Sequence, residues 1–134
     1  MMVAQPRNVR MTAPSTDAIR PFLPAKDFEA SKSFYEALGF QKVLDGEVAI
    51  FRAGASEFVL QRFYHKEFAD NCMLQLVVDD LDSRWALIEA LDLPGRFRVR
   101  APQPPKLQPW GLRVAFVFDP SGVLWHVTQR RPSP

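Results

Sequence analysis

Apolar residues follow two periods along this chain, and the switch between them happens twice. Phe28, Phe34, Tyr35 and Leu38 recur at helical spacing around Ser31, with Asp27 directly ahead and Gly39 directly behind. A carboxylate ahead of a first turn can accept its orphan amide hydrogens, and glycine supplies a left-handed stop, so a helix is predicted between Asp27 and Gly39. The pattern returns with Leu81, Trp85, Ile88 and Leu91, preceded by Asp80 and followed by Pro94-Gly95, which predicts a second helix ended by that pair. Short runs of strand length surround both helices. They cover residues 19–23, 40–44, 48–52 and 57–63 in the first half, and 72–76, 97–100, 112–118 and 123–129 in the second. Asp45-Gly46, Ala53-Gly54-Ala55 and Asp119-Pro120-Ser121-Gly122 supply turns between them.

The two halves also share residues. With Asp27 set over Asp80, an offset of 53, Glu36-Ala37-Leu38 falls on Glu89-Ala90-Leu91. Further on, Val48-Ala49 echoes Val114-Ala115 at an offset of 66, and Gln61-Arg62 echoes Gln129-Arg130 at 68. These offsets predict a two-residue gap between the paired strands. A repeated stretch of this length predicts a repeated structural unit. The expected fold class is α+β, with two pseudo-symmetric βαβββ modules whose curled mixed sheets form a ligand cup. The modules are expected at about 18–63 and 72–130, joined by a connector at 63–71 and forming one domain from 18 to 130. Residues 1–17 read as a flexible leader, too polar to bury itself, and no apolar block follows Arg7 and Arg10 as a signal peptide requires. Pro102, Pro104, Pro105 and Pro109 predict a loop between residues 100 and 110, since proline cannot donate to a ladder.

Composition narrows the function classes. At 134 residues with 47% hydrophobic content the chain suits one domain with a real core, and no apolar run approaches membrane-spanning length. A net charge of +2 gives no footing for nucleic acid, and the arginines at 96, 98 and 100 read as solvated, able at most to attract an anionic ligand. The lone Cys72 sits in an apolar run and reads as a buried, inert thiol that needs no oxidising compartment, so the cytoplasm is expected. Gly-rich phosphate loops, paired-cysteine zinc motifs and nucleophile elbows do not occur, and the acidic pairs are explained by capping and turns.

Four segments in order carry a family resemblance. They are Ala25 to Tyr35 with Leu38-Gly39-Phe40; Leu76-Val77-Val78-Asp79-Asp80-Leu81-Asp82; Pro109-Trp110-Gly111; and Asp119-Pro120-Ser121-Gly122. Together they resemble the glyoxalase/bleomycin-resistance/dioxygenase superfamily, over about residues 18 to 130, and within it the metal-free bleomycin-resistance-type binders. The resemblance implies a ligand cup, a homodimer in which the partner often completes that cup, and in the enzymes a divalent metal. Two ligands from each half would hold that metal, on the first and last strands of the module. Repeat spacing puts the four positions at Arg20, Met73, Phe58 and His126, with Leu60 as the alternative to Phe58. Only His126 suits a metal, because Arg20 is a permanent cation, Met73 is soft and neutral, and Phe58 offers no lone pair. No metal, cofactor or catalytic residue is therefore assigned.

Metal-free relatives are implied to sequester a flat, partly cationic drug in the cup. Strand alternation predicts that the cup face here carries Arg20, Phe22, Phe58, Met73, Gln75, Phe116 and His126, with Trp110 on the loop before it. Tyr35, Trp85 and Trp125 are expected in the core. The expected function is non-catalytic binding of a small aromatic or amphipathic molecule, such as a bleomycin-like or other aromatic toxin. Two alternatives stay open: a metal-dependent lyase or dioxygenase of the same superfamily, and a dimeric interaction module with a cup filled by its own side chains. Nucleic acid and membrane are not expected as partners.

Overall fold

The computed structural model describes residues 9–132. The first half runs β1 (Phe22–Pro24), α1 (Phe28–Ala37), β2 (Gln41–Asp45), β3 (Ala49–Ala53) and β4 (Ser56–Gln61). A short helix, α2 (Lys66–Asp70), lies in the connector. The second half runs β5 (Met73–Val78), α3 (Leu81–Ala90), α4 (Leu93–Phe97), β6 (Gln103–Leu107), β7 (Arg113–Phe118) and β8 (Leu124–Gln129). Each half builds one four-stranded mixed sheet, ordered β1-β4-β3-β2 and β5-β8-β7-β6, in which the outer first strand is parallel to its neighbour and the other pairs are antiparallel. The fold is α+β with repeated modules, and the two sheets do not close into a barrel. Residues 1–8 of the expected leader lie outside the described residues; residues 9–17 are exposed and carry one turn, closed by Asp17 N donating to Pro14 O.

Capping sets the helix starts. Ala30 N donates to Asp27 Oδ1 and Ser83 N to Asp80 Oδ1, both at 3.0 Å, so each half uses the same device at the same place. Gly39 takes φ +95° just past α1, a conformation that a side chain would strain.

Two expectations fail together in the second half. Residues 97–100 form no strand, and Pro94-Gly95 do not end α3: they sit inside the short helix α4, capped by Asp92. The missing strand is instead β6, inside the proline-rich stretch expected to be a loop. Prolines fit there because β6 is an edge strand paired only with β7, and Pro104-Pro105 occupy its register irregularity between Gln103 and Lys106.

The core lies between the helices and the inner sheet faces. Leu23, Phe51, Phe58 and Leu60 from the first half join Ala115, Val117, Trp125 and Val127 from the second. Tyr35 is fully buried among Phe34, Phe40, Phe51, Phe58 and Trp125, as expected for a core residue. Its hydroxyl donates to Asp119 Oδ2 at 2.6 Å and accepts from Trp125 Nε1 at 3.0 Å. Asp119 Oδ1 also accepts from the amides of Ser121 and Val123. A polar chain therefore ties α1 of one half to the β7–β8 turn and β8 of the other.

Candidate functional site

Strand register decides which side chains leave the core. In the second sheet Gln75, His126, Phe116 and Gln103 form one cross-strand row, flanked by Met73, Leu124 and Phe118 on one side and by Val77, Thr128, Val114 and Lys106 on the other. These rows face away from the helices, because the alternate residues Leu74, Leu76, Trp125, Val127, Ala115 and Val117 pack in or against the core. The Phe116 ring meets the His126 ring edge-on at 4.9 Å, and the Trp110 ring lies 6.4 Å from His126. Trp110 sits on the β6–β7 turn, where Gly111 at φ +90° donates to Gln108 O and Gln108 N donates to Leu112 O. Trp110 is 57% exposed, and Met73 is 63% exposed. Beside Phe116 opens a recess of about 410 Å³, lined by Gln103, Pro104, Pro105, Lys106 and Gln108. By contrast, the void between the helices and the sheets, lined by residues such as Leu38, Phe40, Ile88 and Trp125, measures about 10 Å³, room for one water at most. Room for a ligand is on the open side.

The first sheet presents Phe22, 54% exposed, and Val59 in register with it. One step along, Arg52 and Glu57 are direct partners on the same face. Arg20 Nε reaches Glu57 Oε1 at 2.7 Å, and Arg52 Nη2 reaches Glu57 Oε2 at 2.6 Å. Arg20 and Arg52, in that order, hold the Glu57 carboxyl below its ordinary value. Arg20, Phe22, Met73, Gln75, Phe116, His126 and Trp110 thus all lie on the open side. Phe58 does not.

The Phe58 expectation is corrected by parity. Phe58 is 6% exposed and packs on Tyr35, Phe40, Phe51 and Trp125 inside the core. Phe22 pairs with Val59 as Gln75 pairs with His126, so His126 corresponds to Val59 at an offset of 67, neither 66 nor 68. Counted between equivalent partners, Arg52 to Glu57 spans five positions and Phe118 to Leu124 six, a difference of one and not two, and an odd slip turns the whole strand over. Glu57 was missed for this reason. A two-residue turn at Gly54-Ala55 would have placed Arg52 opposite Glu57, an opposite-charge pair readable in the sequence.

The corrected register also tests a metal. Positions in the central rows are Phe22, Val59, Gln75 and His126; one step along they are Arg20, Glu57, Met73 and Leu124. The first set offers two neutral donors from one half, and the second a single carboxylate already held by two guanidiniums. Neither donor set fits a divalent ion. Among the described residues no three His, Cys, Asp or Glu side chains gather into a possible metal group. Other reactive groups have structural settings: burial pushes the Asp119 carboxyl up from its ordinary value and the group is tied into the Tyr35 chain, while Cys72, expected to be buried, is only partly so, enough to push its thiol up.

Comparison with known proteins agrees with this geometry. The family profile of the Glyoxalase/Bleomycin resistance protein/Dioxygenase superfamily matches residues 16–127. A bleomycin resistance protein of Klebsiella pneumoniae is 32% identical, over 85% of this chain and 93% of its own length. Among solved structures, a bleomycin-binding protein complexed with bleomycin superposes with a TM-score of 0.72 at 27% identity, covering 87% of this chain and all of that one. The bleomycin-binding protein of Streptomyces verticillus, complexed with copper(II)-bleomycin, gives 0.68 at 28% identity, covering 89% of this chain and all of its own. Repeated modules, open sheet faces and these matches lead to one assignment: the chain belongs to the Glyoxalase/Bleomycin resistance protein/Dioxygenase superfamily.

Proposed function

We propose that this protein is a non-catalytic binder that sequesters a small flat aromatic molecule, a bleomycin-like compound or another aromatic toxin, on the open sheet faces. The observation that carries this reading is the Trp110–His126–Phe116 platform beside the recess lined by Gln103, Pro104 and Pro105. Apolar walls with a few convergent polar groups, here Gln75, Gln103 and His126, suit a small-molecule site. Exposure of Trp110, Phe22 and Met73 speaks against a face filled by the chain's own side chains. The same apolar residues, with Leu44 and Val77, leave the open faces uncovered in one chain, which supports a homodimer whose two copies complete the cup. A free Cys72 supports a cytoplasmic location. Among the described residues no helix is long and apolar enough to cross a membrane.

Titration with a panel of flat aromatic compounds, read by tryptophan fluorescence, tests the proposal. Binding is expected to quench Trp110, and Trp110→Ala is expected to weaken affinity about 3- to 10-fold, the range of one aromatic contact. Silence from every compound of the panel would remove the basis for the reading.

A further inference from the structure

Side-chain amides divide by face. Among the described residues, Asn71 Nδ2 donates to Glu67 O, Gln108 Nε2 donates to Lys106 O, and Gln129 Oε1 accepts from Leu81 N. The side chains of Gln41, Gln61, Gln75 and Gln103 bond no other residue, and strand parity puts all four on the open faces. Gln41 is in register with Arg52, and Gln61 lies two residues beyond Val59. Gln75 and Gln103, both exposed, stand in the row of His126 and Phe116. They close its two ends, three strand spacings or roughly 14 Å apart. Between them lie the His126 and Phe116 rings, 4.9 Å apart. The rows to either side offer little else that is polar. Met73, Leu124 and Phe118 make one; in the other, with Val77 and Val114, the Thr128 hydroxyl is spent on Arg113 O and Lys106 carries the charge.

We propose that Gln75 and Gln103 determine specificity, and that the ligand they select is an elongated flat aromatic, two rings long, with a carboxamide at each end. Its rings lie over His126 and Phe116 beside Trp110, and each amide meets one glutamine, at the Gln103 end within the recess. A glutamine presents a donor and an acceptor side by side, and a second amide returns the complement, so the pair closes with two hydrogen bonds. An ionised end would leave half of each glutamine unmatched: a carboxylate has no donor for its carbonyl, and an ammonium no acceptor for its amino group. This rests on the binding reading above and deepens it, by naming the groups of an aromatic toxin that the face distinguishes.

Biphenyl-4,4′-dicarboxamide and plain biphenyl test the proposal. Affinities are read by tryptophan fluorescence for the unmodified protein, Gln75→Leu, Gln103→Leu and their combination. Following each compound across the variants cancels the difference in hydration between the two compounds. Each single variant is expected to weaken the dicarboxamide about 2- to 10-fold, the net worth of a hydrogen bond, and the double variant to combine the two losses. Biphenyl is expected to bind no variant more weakly. Thermal melts check that the variants are folded, as substitutions at exposed sites should be. A dicarboxamide unmoved by either variant, or moved by one alone, overturns this inference, as does an equal loss for biphenyl. If both compounds stay silent while another member of the flat aromatic panel binds, this inference falls and the binding reading stands. Silence from the biphenyls and the panel alike removes both.

Discussion

At the scale of single residues, the buried Tyr35 hydroxyl and the half-buried Glu57 carboxylate play opposite electrostatic roles. Tyr35 bonds Asp119 and Trp125 in the core, where losing one partner strands the others away from water. Tyr35→Phe is therefore expected to destabilise the protein by about 1–3 kcal/mol, read as a lower midpoint in denaturant. Glu57, Asp45 and Asp80 are held below their ordinary values by Arg20, by Lys32 and by the Ser83 amide respectively. A carboxyl depressed on folding contributes stability above its unfolded pKa and loses it as pH falls through the folded one. Burial raises Asp119 instead, so its share runs the other way: folding is favoured more at low pH, and that advantage fades as pH rises through its folded value. The three depressed carboxyls are expected to contribute an acid limb that falls below about pH 4, with Asp119 acting against it. Acid titration followed by circular dichroism checks this. Glu57→Gln is expected to soften the acid limb, and an unchanged limb would count against the Arg20–Glu57–Arg52 pairing.

Elements show what alternation can and cannot reveal. Both capped helices, and the face assignments of β5 and β8, were legible because aspartate caps and period-two runs are local signals. Residues 112–118 and 123–129 were placed within one residue of β7 and β8. The face of β4 was misread, because it depends on the length of a turn, and a count wrong by one residue reverses every side chain. Nor was β6, since prolines argue against a ladder unless the strand lies at an edge, and edge position is a tertiary property. The two phenylalanines at issue separate by experiment. Phe58→Ala is expected to cost about 3–5 kcal/mol of stability, the range for emptying an aromatic core site. Phe22→Ala is expected to stay within about 0.5 kcal/mol, as for an exposed residue, and to act on ligand binding instead. Matching losses in the two melts would return Phe58 to the open side.

Across the whole molecule, the two halves share a core but keep their outer faces separate and largely uncovered. Apolar side chains on those faces predict self-association, so sedimentation at micromolar concentration is expected to give a dimer. Met73→Glu, a charge placed on the exposed end of β5, is expected to shift it toward monomer; an unchanged dimer would place the contact elsewhere. The bond between the halves has a further outcome. Tyr35 belongs to the first half, while Asp119 and Trp125 belong to the second. A chain severed within the connector would leave one fragment with a stranded phenol and the other with a buried carboxyl whose Oδ2 has lost its donor. Neither piece should hold its shape alone, and mixing the two should restore a single sharp melting transition.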